Sequence, residues 1–376
     1  MDTEELAVQK GRITRQHNYG ADLLRCLAML MIVVLHLYTQ GGAMSAINRT
    51  APKSWLRVLN YAIQWFCLGG VNLFGLLSGY LMLESRFKPR RFFGLWIQVV
   101  FVGLVLNAAT LCIRPDFLKT ENWILAILPV SQREYWYFTC YACVFLLSPV
   151  LNRGILALTE RQATVLLIGC VFVFSLLSSL GYAYRGDPFY VVGGYSALWL
   201  IALYVMGACL KRSSNVLAGA KSARLLLIML LCLVFDVVWH YLPLPVSLNG
   251  TKSIANKFFG LPMIVFDLCL FSLLIRTEIR STVFRKLLCF VSPLAFSAYL
   301  ITVHPVFWTA MRGSFRFVTK PSVWLSAPML LGIGILIFTV CILADFLRDR
   351  LFRLLRVSDF CEWAETRIRR MLDKFS

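Results

Sequence analysis

The sequence predicts an all-α protein that lies in a membrane as a polytopic helix bundle with about ten transmembrane helices. Of its 376 residues 59% are hydrophobic, and the mean hydropathy of +0.71 is far above that of a soluble domain. Apolar runs of about twenty residues, long enough to cross a hydrocarbon core of about 30 Å, recur along nearly the whole chain. We therefore expect a single multi-pass membrane domain.

The charged residues predict how this domain is oriented. The net charge is +19, and with a cytoplasmic N-terminus the inside segments hold about twice as many Lys and Arg residues as the outside segments. This is the positive-inside pattern, and an even number of spans places both termini in the cytoplasm, beneath the inner or plasma membrane. No nucleic-acid recognition motif accompanies the charge, so we expect contact with the lipid bilayer and none with nucleic acid.

Ten apolar segments divide the chain into three parts. Residues 1–19 form a short basic cytoplasmic N-terminus, 20–346 form the transmembrane domain, and 347–376 form a cytoplasmic amphipathic tail that alternates apolar and basic residues. The predicted spans are approximately 20–39, 58–83, 92–113, 135–151, 163–182, 195–210, 224–243, 258–275, 287–309 and 324–346. The first apolar run has no small-residue cleavage site, so we expect it to be retained as a span.

The first span carries polar residues that a plain membrane anchor lacks. On a helix they form one stripe within about 60°, made of Asn18, Asp22, Arg25 and His36. Arg25 and His36 lie about 16 Å apart along this stripe. A charge at membrane depth is costly unless it is paired or functional. Pairing with Asp22 accounts for Arg25 but leaves His36 unexplained, so the stripe favours a functional role.

Polar residues in two other spans have structural alternatives. Asn72 and Ser78 of the second span occur among glycines, which can simply allow close helix packing. Asp236 and His240 of the seventh span share a face, either as a carboxylate–histidine pair or as a polar pair in an aromatic belt. Asp267 lies well inside the eighth span and is harder to explain as an interfacial residue.

The ninth span adds a second candidate catalytic histidine. Ser297 and His304 are seven residues apart and so share a helix face, and Pro305 ends the turn after the histidine. His36, His240 and His304 are all predicted in the outer half of the membrane, which suggests a shared polar chamber. The twelve cysteines mostly stand singly in apolar spans, and no metal site is predicted.

These residues resemble an integral-membrane acyltransferase family, acyltransferase 3, which includes O-acetyltransferases of sugars and cell-envelope glycans. Its first helix has an Asn or Asp, then D-x-L-R, then a His eleven residues after the Arg, as Asn18, Asp22 to Arg25 and His36 do here. Further similarity covers VNLFGLLSGYL (71–81), RFKPRRF (86–92), YWYFTCYACVFLLSPVL (135–151) and the S-x-Y-L-x-x-x-H pattern from Ser297 to His304.

The resemblance implies an enzyme that moves an acyl group, acetyl or another short group, from cytoplasmic acyl-CoA to a hydroxyl of an extracytoplasmic or lipid-linked glycan. His36 would then act as general base and Asp22 would hold Arg25. The cations that would bind the phosphates of the acyl-CoA donor are Arg25, Lys88, Arg90 and Arg91. The polar residues that would line the path or contact the thioester oxyanion are Asn72, Ser78 and Ser297. No metal is implied.

Two other classes of protein fit the same buried polar residues. An exporter or flippase of a polysaccharide or glycolipid would also use a helix bundle, although no inverted repeat is detectable. A membrane sensor or scaffold would have no need for the register of Arg25 and His36. Replacement of His36 separates the classes, because only an enzyme should lose acyl transfer while it stays folded.

Overall fold

A computed structural model describes residues 17–131, 135–184, 186–213, 219–243 and 257–372, and every regular element in these ranges is helical. They include a π-helical turn, Phe172–Leu177. The α-helices are α1 (Tyr19–Tyr38), α2 (Ala43–Thr50), α3 (Trp55–Leu68), α4 (Gly70–Met82), α5 (Pro89–Ile113), α6 (Thr120–Ile127), α7 (Trp136–Ala157), α8 (Glu160–Val171), α9 (Ser178–Tyr184), α10 (Ala197–Arg212), α11 (Ser222–Tyr241), α12 (Leu261–Ile275), α13 (Thr282–Val291), α14 (Phe296–Val303), α15 (Pro305–Met311), α16 (Ser326–Leu354) and α17 (Val357–Leu372).

Several of these helices are long and apolar enough to cross a membrane, as the sequence predicts. By length and composition seven spans qualify within the described ranges, formed by α1, α3–α4, α5, α7, α8–α9, α11 and α16. The pair α13–α14, bent by 42°, makes an eighth if it counts as one span. At the predicted sixth and eighth spans stand α10 and α12, which have only 16 and 15 residues. The protein is multi-pass, and the count of ten stays a prediction.

Helix α1 is the central helix of the bundle. It begins where the Asn18 side chain accepts a hydrogen bond from the Ala21 amide at 2.9 Å, and it ends before a turn at Gly42 with φ of +75°. It packs against α3, α4, α12, α14 and α16. Neighbouring helices cover most of the circumference of α1, which explains why most of its surface is apolar. Its one polar stripe faces an interior cavity.

Helices α4 and α10 approach closely enough for their backbones to touch. A Cβ atom on Gly79 would lie 1.9 Å from the Tyr204 carbonyl oxygen, and one on Gly207 would lie 1.9 Å from the Leu76 carbonyl oxygen. Small residues at such crossings allow dispersion contacts that a larger side chain would prevent. The packing role that the sequence suggested for the glycines of the second span is confirmed at Gly79.

The two ends of the bundle are distinguished by the residues of α1 that lie nearest to them. The first turn of α1, which holds Asp22, lies at the same end as the last turn of α4 and the first turn of α5; we call it the Arg25 end, and the opposite end the His36 end. At the Arg25 end α16 is followed by Arg356 in a left-handed conformation, with φ of +51°. The chain then turns into α17, which packs against α5 and α16.

Candidate active site

His36 lies in a cavity of about 500 Å³, a size typical of small-molecule sites. Its ring is half-buried and meets the Trp308 ring edge-on, with centroids 5.0 Å apart. Aromatic side chains form much of the remaining wall, and two amide side chains add polar groups. Besides His36 and Trp308, these residues are Gln40, Gln64, Trp65, Phe74, Trp136, Tyr137, Tyr195, Phe258 and Tyr299. We call this space the His36 cavity.

A hydrogen bond with Thr302 fixes the tautomer of His36. The Nδ1 atom of His36 lies 3.1 Å from the Thr302 hydroxyl oxygen. That hydroxyl donates its own proton to the Ala298 carbonyl at 2.7 Å, so it can only accept from the imidazole. Nδ1 therefore carries the ring proton and Nε2 keeps a free lone pair. A neutral imidazole with this tautomer is prepared to take a proton at Nε2.

Arg25 lies in a second cavity of about 330 Å³, the Arg25 cavity. Its Nη1 atom donates to the Ser292 hydroxyl at 2.6 Å and to an Asp22 carboxylate oxygen at 3.5 Å. Ser292 in turn donates to the same Asp22 oxygen at 2.7 Å. Asp22 also pairs with His17. The guanidinium is thus held by a buried carboxylate and a buried hydroxyl while it still borders the cavity.

A third cavity of about 370 Å³ is strongly basic, and we call it the basic cavity. Four cations line it: Arg86, Lys88, Arg91 and Arg153. The acidic residue Glu84 also lines it and is paired with Lys211 at 3.0 Å. Such a concentration of cations suits a ligand with several negative charges.

The three cavities adjoin one another. Phe74 and Tyr137 line both the His36 cavity and the Arg25 cavity. Arg91 and Tyr141 line both the Arg25 cavity and the basic cavity. The cavities therefore follow one another from a basic opening at the Arg25 end, past Arg25, to His36 near the other end. A series of neighbouring cavities with cations at one end suits a long thin ligand with an anionic end.

The structure places the predicted site residues in two groups. His36, Arg25, Ser78, Lys88 and Arg91 each line at least one of the three cavities. The other predicted residues contact different parts of the bundle: they are Asp22, Asn72, Arg90, Ser297 and His304. Their contacts show what each of them holds in place.

Two residues of the second group support parts of the cavity wall. Asn72 is fully buried and donates to the Phe258 carbonyl at 2.7 Å and to Asp267 at 2.8 Å, and it accepts from the Trp199 indole at 3.1 Å. Asn72 thus ties α4 to α10 and α12 and fixes Phe258, which lines the His36 cavity. Asp22 supports Arg25 as described.

The remaining three residues line none of the three cavities. Ser297 is fully buried and donates to the Leu294 and Cys341 carbonyls. His304 is 3% exposed, and its ring lies beside the backbone of Gly103 on α5. Arg90 pairs with two glutamates of α17. The predicted chamber shared by three histidines does not form in the described residues, because neither His240 nor His304 lines the His36 cavity.

Sequence reasoning missed several residues that the fold brings to the site. Thr302, Trp308 and Ser292 belong to the segment 292–308, which is distant in sequence from α1. Arg153 reaches the basic cavity from α7. A signal was present for Thr302, since it precedes His304 by two residues within a quoted motif. Ser292 and Arg153 carry no such signal.

One cluster in the described residues has the atom types of a metal site. The ligating atoms of His17, Asp22 and Cys289 lie within 4.8 Å of one another at the Arg25 end. The carboxylate of Asp22 is already bonded to His17, Arg25 and Ser292, and these contacts account for it without a cation.

Comparison with known proteins gives one match. The sequence model of one family, described as an acyltransferase domain, matches residues 18–347, most of the chain. No curated protein and no solved structure matches the chain. The matched region starts at Asn18, the N-cap of α1, and includes the residues named above that line the three cavities.

Proposed function

Because the chain belongs to the acyltransferase 3 family and is a multi-pass membrane acyltransferase, we propose that it transfers a short acyl group, acetyl first of all, from acyl-CoA to a glycan hydroxyl. The observation that supports this most is the series of three adjoining cavities between a basic opening and His36. The acceptor is an extracytoplasmic or lipid-linked saccharide, and the Arg25 end faces the cytoplasm.

The donor enters at the Arg25 end. The phosphates of coenzyme A bind in the basic cavity, where Lys88, Arg91 and Arg153 supply charge-assisted hydrogen bonds. The pantetheine arm passes Arg25, whose guanidinium is fixed by Asp22 and Ser292, and brings the thioester toward His36. A rise of about 1.5 Å per residue separates the side chains of Arg25 and His36 by about 16 Å along α1, a distance that an extended arm can cover.

His36 activates the acceptor. Its Nε2 atom takes the proton of the saccharide hydroxyl as the oxygen attacks the thioester carbonyl carbon. The carbon–oxygen bond forms, the carbon–sulfur bond breaks, and the proton passes from the imidazolium to the departing thiolate. The products are an O-acyl saccharide and free coenzyme A. This sequence needs neither a covalent acyl-enzyme nor a metal.

The aromatic wall of the His36 cavity suits a saccharide acceptor. Trp136 and Tyr195 meet edge-on with centroids 4.7 Å apart, and Trp308 packs beside His36. Such rings offer flat apolar surfaces to the C–H faces of a sugar, while Gln40 and Gln64 offer amide groups to its hydroxyls. The sugar's reacting hydroxyl then lies next to the general base.

The test is a transfer assay with purified protein in nanodiscs. Labelled acetyl-CoA is incubated with a panel of saccharides, and acyl transfer to the sugar is measured for wild type, His36→Ala and His36→Gln. We expect both variants to bind acetyl-CoA and to lose transfer by at least about a hundredfold, the usual contribution of a general base. The matched control is His240→Gln, because His240 lies outside the His36 cavity.

Two results would contradict the proposal. Wild-type protein that binds no acyl-CoA would remove the donor assignment. Transfer that is unchanged in His36→Ala would remove the assignment of the base. An exporter, by contrast, would show normal glycan acylation in the variant and a loss of glycan transport.

A further inference from the structure

The C-terminal helix α17 holds the segment that forms the basic opening. Arg90 at the start of α5 forms ion pairs with Glu362 and Glu365 of α17. Arg369 donates to Glu365 at 2.8 Å and to the Phe87 carbonyl at 3.5 Å. These residues, which we call the Arg90 network, connect α17 to both sides of Lys88, a residue that lines the basic cavity.

Arg91 follows Arg90 directly in the chain and belongs to the same turn of α5. Arg91 lines the basic cavity and the Arg25 cavity, so it stands where the two adjoin. Pro89 is the first residue of α5 and Arg91 belongs to the same first turn, so a displacement of Arg90 moves Arg91 as well. The side chain of Glu365 is only 12% exposed, so its pairing with Arg90 is less screened than an ordinary surface ion pair.

The opposite face of α17 is apolar and uncovered. Phe360, Trp363 and Met371 are 57%, 55% and 55% exposed, and with Arg367 they fall within about 80° on the helix. Arg367 stacks over the Trp363 ring with 5.4 Å between its guanidinium carbon and the ring centroid. The network residues fall on the other side. A helix whose charged face touches protein and whose aromatic face is free matches a helix that lies in a membrane interface.

We propose that α17 is a membrane-bound positioning element for the donor site: its aromatic face lies in the bilayer interface, and its Arg90 network holds Lys88 and Arg91 in place to bind the anionic end of the donor. The proposal rests on the proposed function for the identity of the donor. The partner of the aromatic face is the lipid bilayer, because aromatic residues next to Arg367 match the headgroup layer in both polarity and charge.

The test reverses the charges of the network. Glu362→Lys with Glu365→Lys adds positive charge near the basic opening, so electrostatics alone would tighten acetyl-CoA binding. We expect the reverse, a Kd in nanodiscs about three- to tenfold higher, because the Arg90 pairs are lost. Adding Arg90→Glu re-forms the pairs with opposite sign and should bring the Kd back to within about twofold of wild type. The control is Arg353→Gln, which breaks an ion pair with Asp349 that borders none of the three cavities.

Hydrogen exchange tests the positioning role of the Arg90 network in the absence of any donor. Residues 84–92 should exchange faster in the double variant and return to the wild-type rate in the triple variant. Unchanged exchange, or tighter acetyl-CoA binding in the double variant, would overturn the positioning role. If wild type binds no acetyl-CoA, the proposed function fails while the exchange result still stands.

The membrane contact is tested by Phe360→Ser with Trp363→Ser in nanodiscs. Both side chains are exposed, so the protein core is unaffected, and we expect the same rise in Kd as in the double lysine variant. A wild-type Kd would overturn the membrane contact. So would a wild-type protein that is dimeric in nanodiscs and becomes monomeric in the variant, because this face would then be an interface between copies.

Discussion

Thr302 holds the proton of His36 on Nδ1, so replacing Thr302 should slow the chemical step and leave donor binding almost unchanged. Thr302→Val keeps the side-chain shape but removes the acceptor, so the imidazole can populate the tautomer that has no lone pair at Nε2. We expect kcat to fall by about tenfold or more with little change in the KM for acetyl-CoA, and Thr302→Ser to restore most of the activity. A fall in thermal stability that accounts for the whole loss would contradict this role.

Replacing Ser292 should weaken donor binding and leave the chemical step almost unchanged. Ser292→Ala removes the hydroxyl that links Arg25 to Asp22, at a net cost of about 1 kcal/mol for a single hydrogen bond. The KM for acetyl-CoA should rise roughly fivefold while kcat stays close to wild type. Ser272→Ala is the control, because Ser272 is also buried but bonds within its own helix. A selective loss of kcat in Ser292→Ala would place this serine nearer the chemistry than the structure does.

These residues show what sequence can predict about the site. Asp22 and Arg25 are three residues apart on one helix, so helix geometry alone predicts that they pair, and the structure confirms the pair. Thr302 and Ser292 reach α1 from 266 and 267 residues away. Their contacts depend on which helices are neighbours, and a single sequence contains no local signal for that.

At the scale of helices, the crossing of α4 and α10 depends on two glycines. Gly79→Ala would place a methyl group 1.9 Å from the Tyr204 carbonyl oxygen, which is backbone and cannot rotate away. We expect α4 and α10 to move apart at a cost of about 1–3 kcal/mol, seen as a lower melting temperature in detergent. Gly94→Ala on α5 is the matched control, because nothing lies within 4 Å of its added methyl group. That variant should be as stable as wild type or slightly more so.

The helices themselves were largely predictable from sequence, whereas their breaks were not. Apolar length predicts α1, α5 and α11 to within about three residues, and it predicts the start of α7 but ends that helix six residues too early. The second span is one crossing in the structure, as predicted, but it is interrupted between α3 and α4 at Gly69, where a Cβ would lie 2.1 Å from an Asp267 carboxylate oxygen. Hydropathy does not contain the position of a carboxylate on another helix, so the sequence does not predict this interruption.

At the scale of the whole molecule, the basic cavity lies at the end of the bundle that the charge pattern assigns to the cytoplasm. The basic cavity and the Arg90 network lie at the Arg25 end, which the positive-inside pattern assigns to the cytoplasm. Coenzyme A thioesters are made and used in the cytoplasm, so the proposed donor would approach this end. The orientation is therefore the single premise on which the direction of transfer depends.

Cysteine labelling in intact cells checks this orientation. The exposed Cys112, Cys143 and Cys289 and the half-buried Cys26 and Cys232 are first replaced by serine, while the buried cysteines, which a polar reagent does not reach, are retained. One cysteine is then introduced at Lys119, beyond the end of α5, or at Arg280, between α12 and α13. A membrane-impermeant maleimide should label Lys119→Cys in intact cells and Arg280→Cys only after permeabilisation.

The two sites control for each other, because both lie in connections between helices but at opposite ends of the bundle. The reverse pattern would put the basic cavity outside the cell, where no acyl-CoA is available, and the direction of transfer would be wrong even with a working catalytic histidine. Labelling of both sites in intact cells would mean that an even number of helices crosses the membrane between them, which follows if one of the short helices, α10 or α12, does not cross. In that case the Arg25 end and the His36 end would face the same solution, and the cavities could not carry an acyl group across a bilayer.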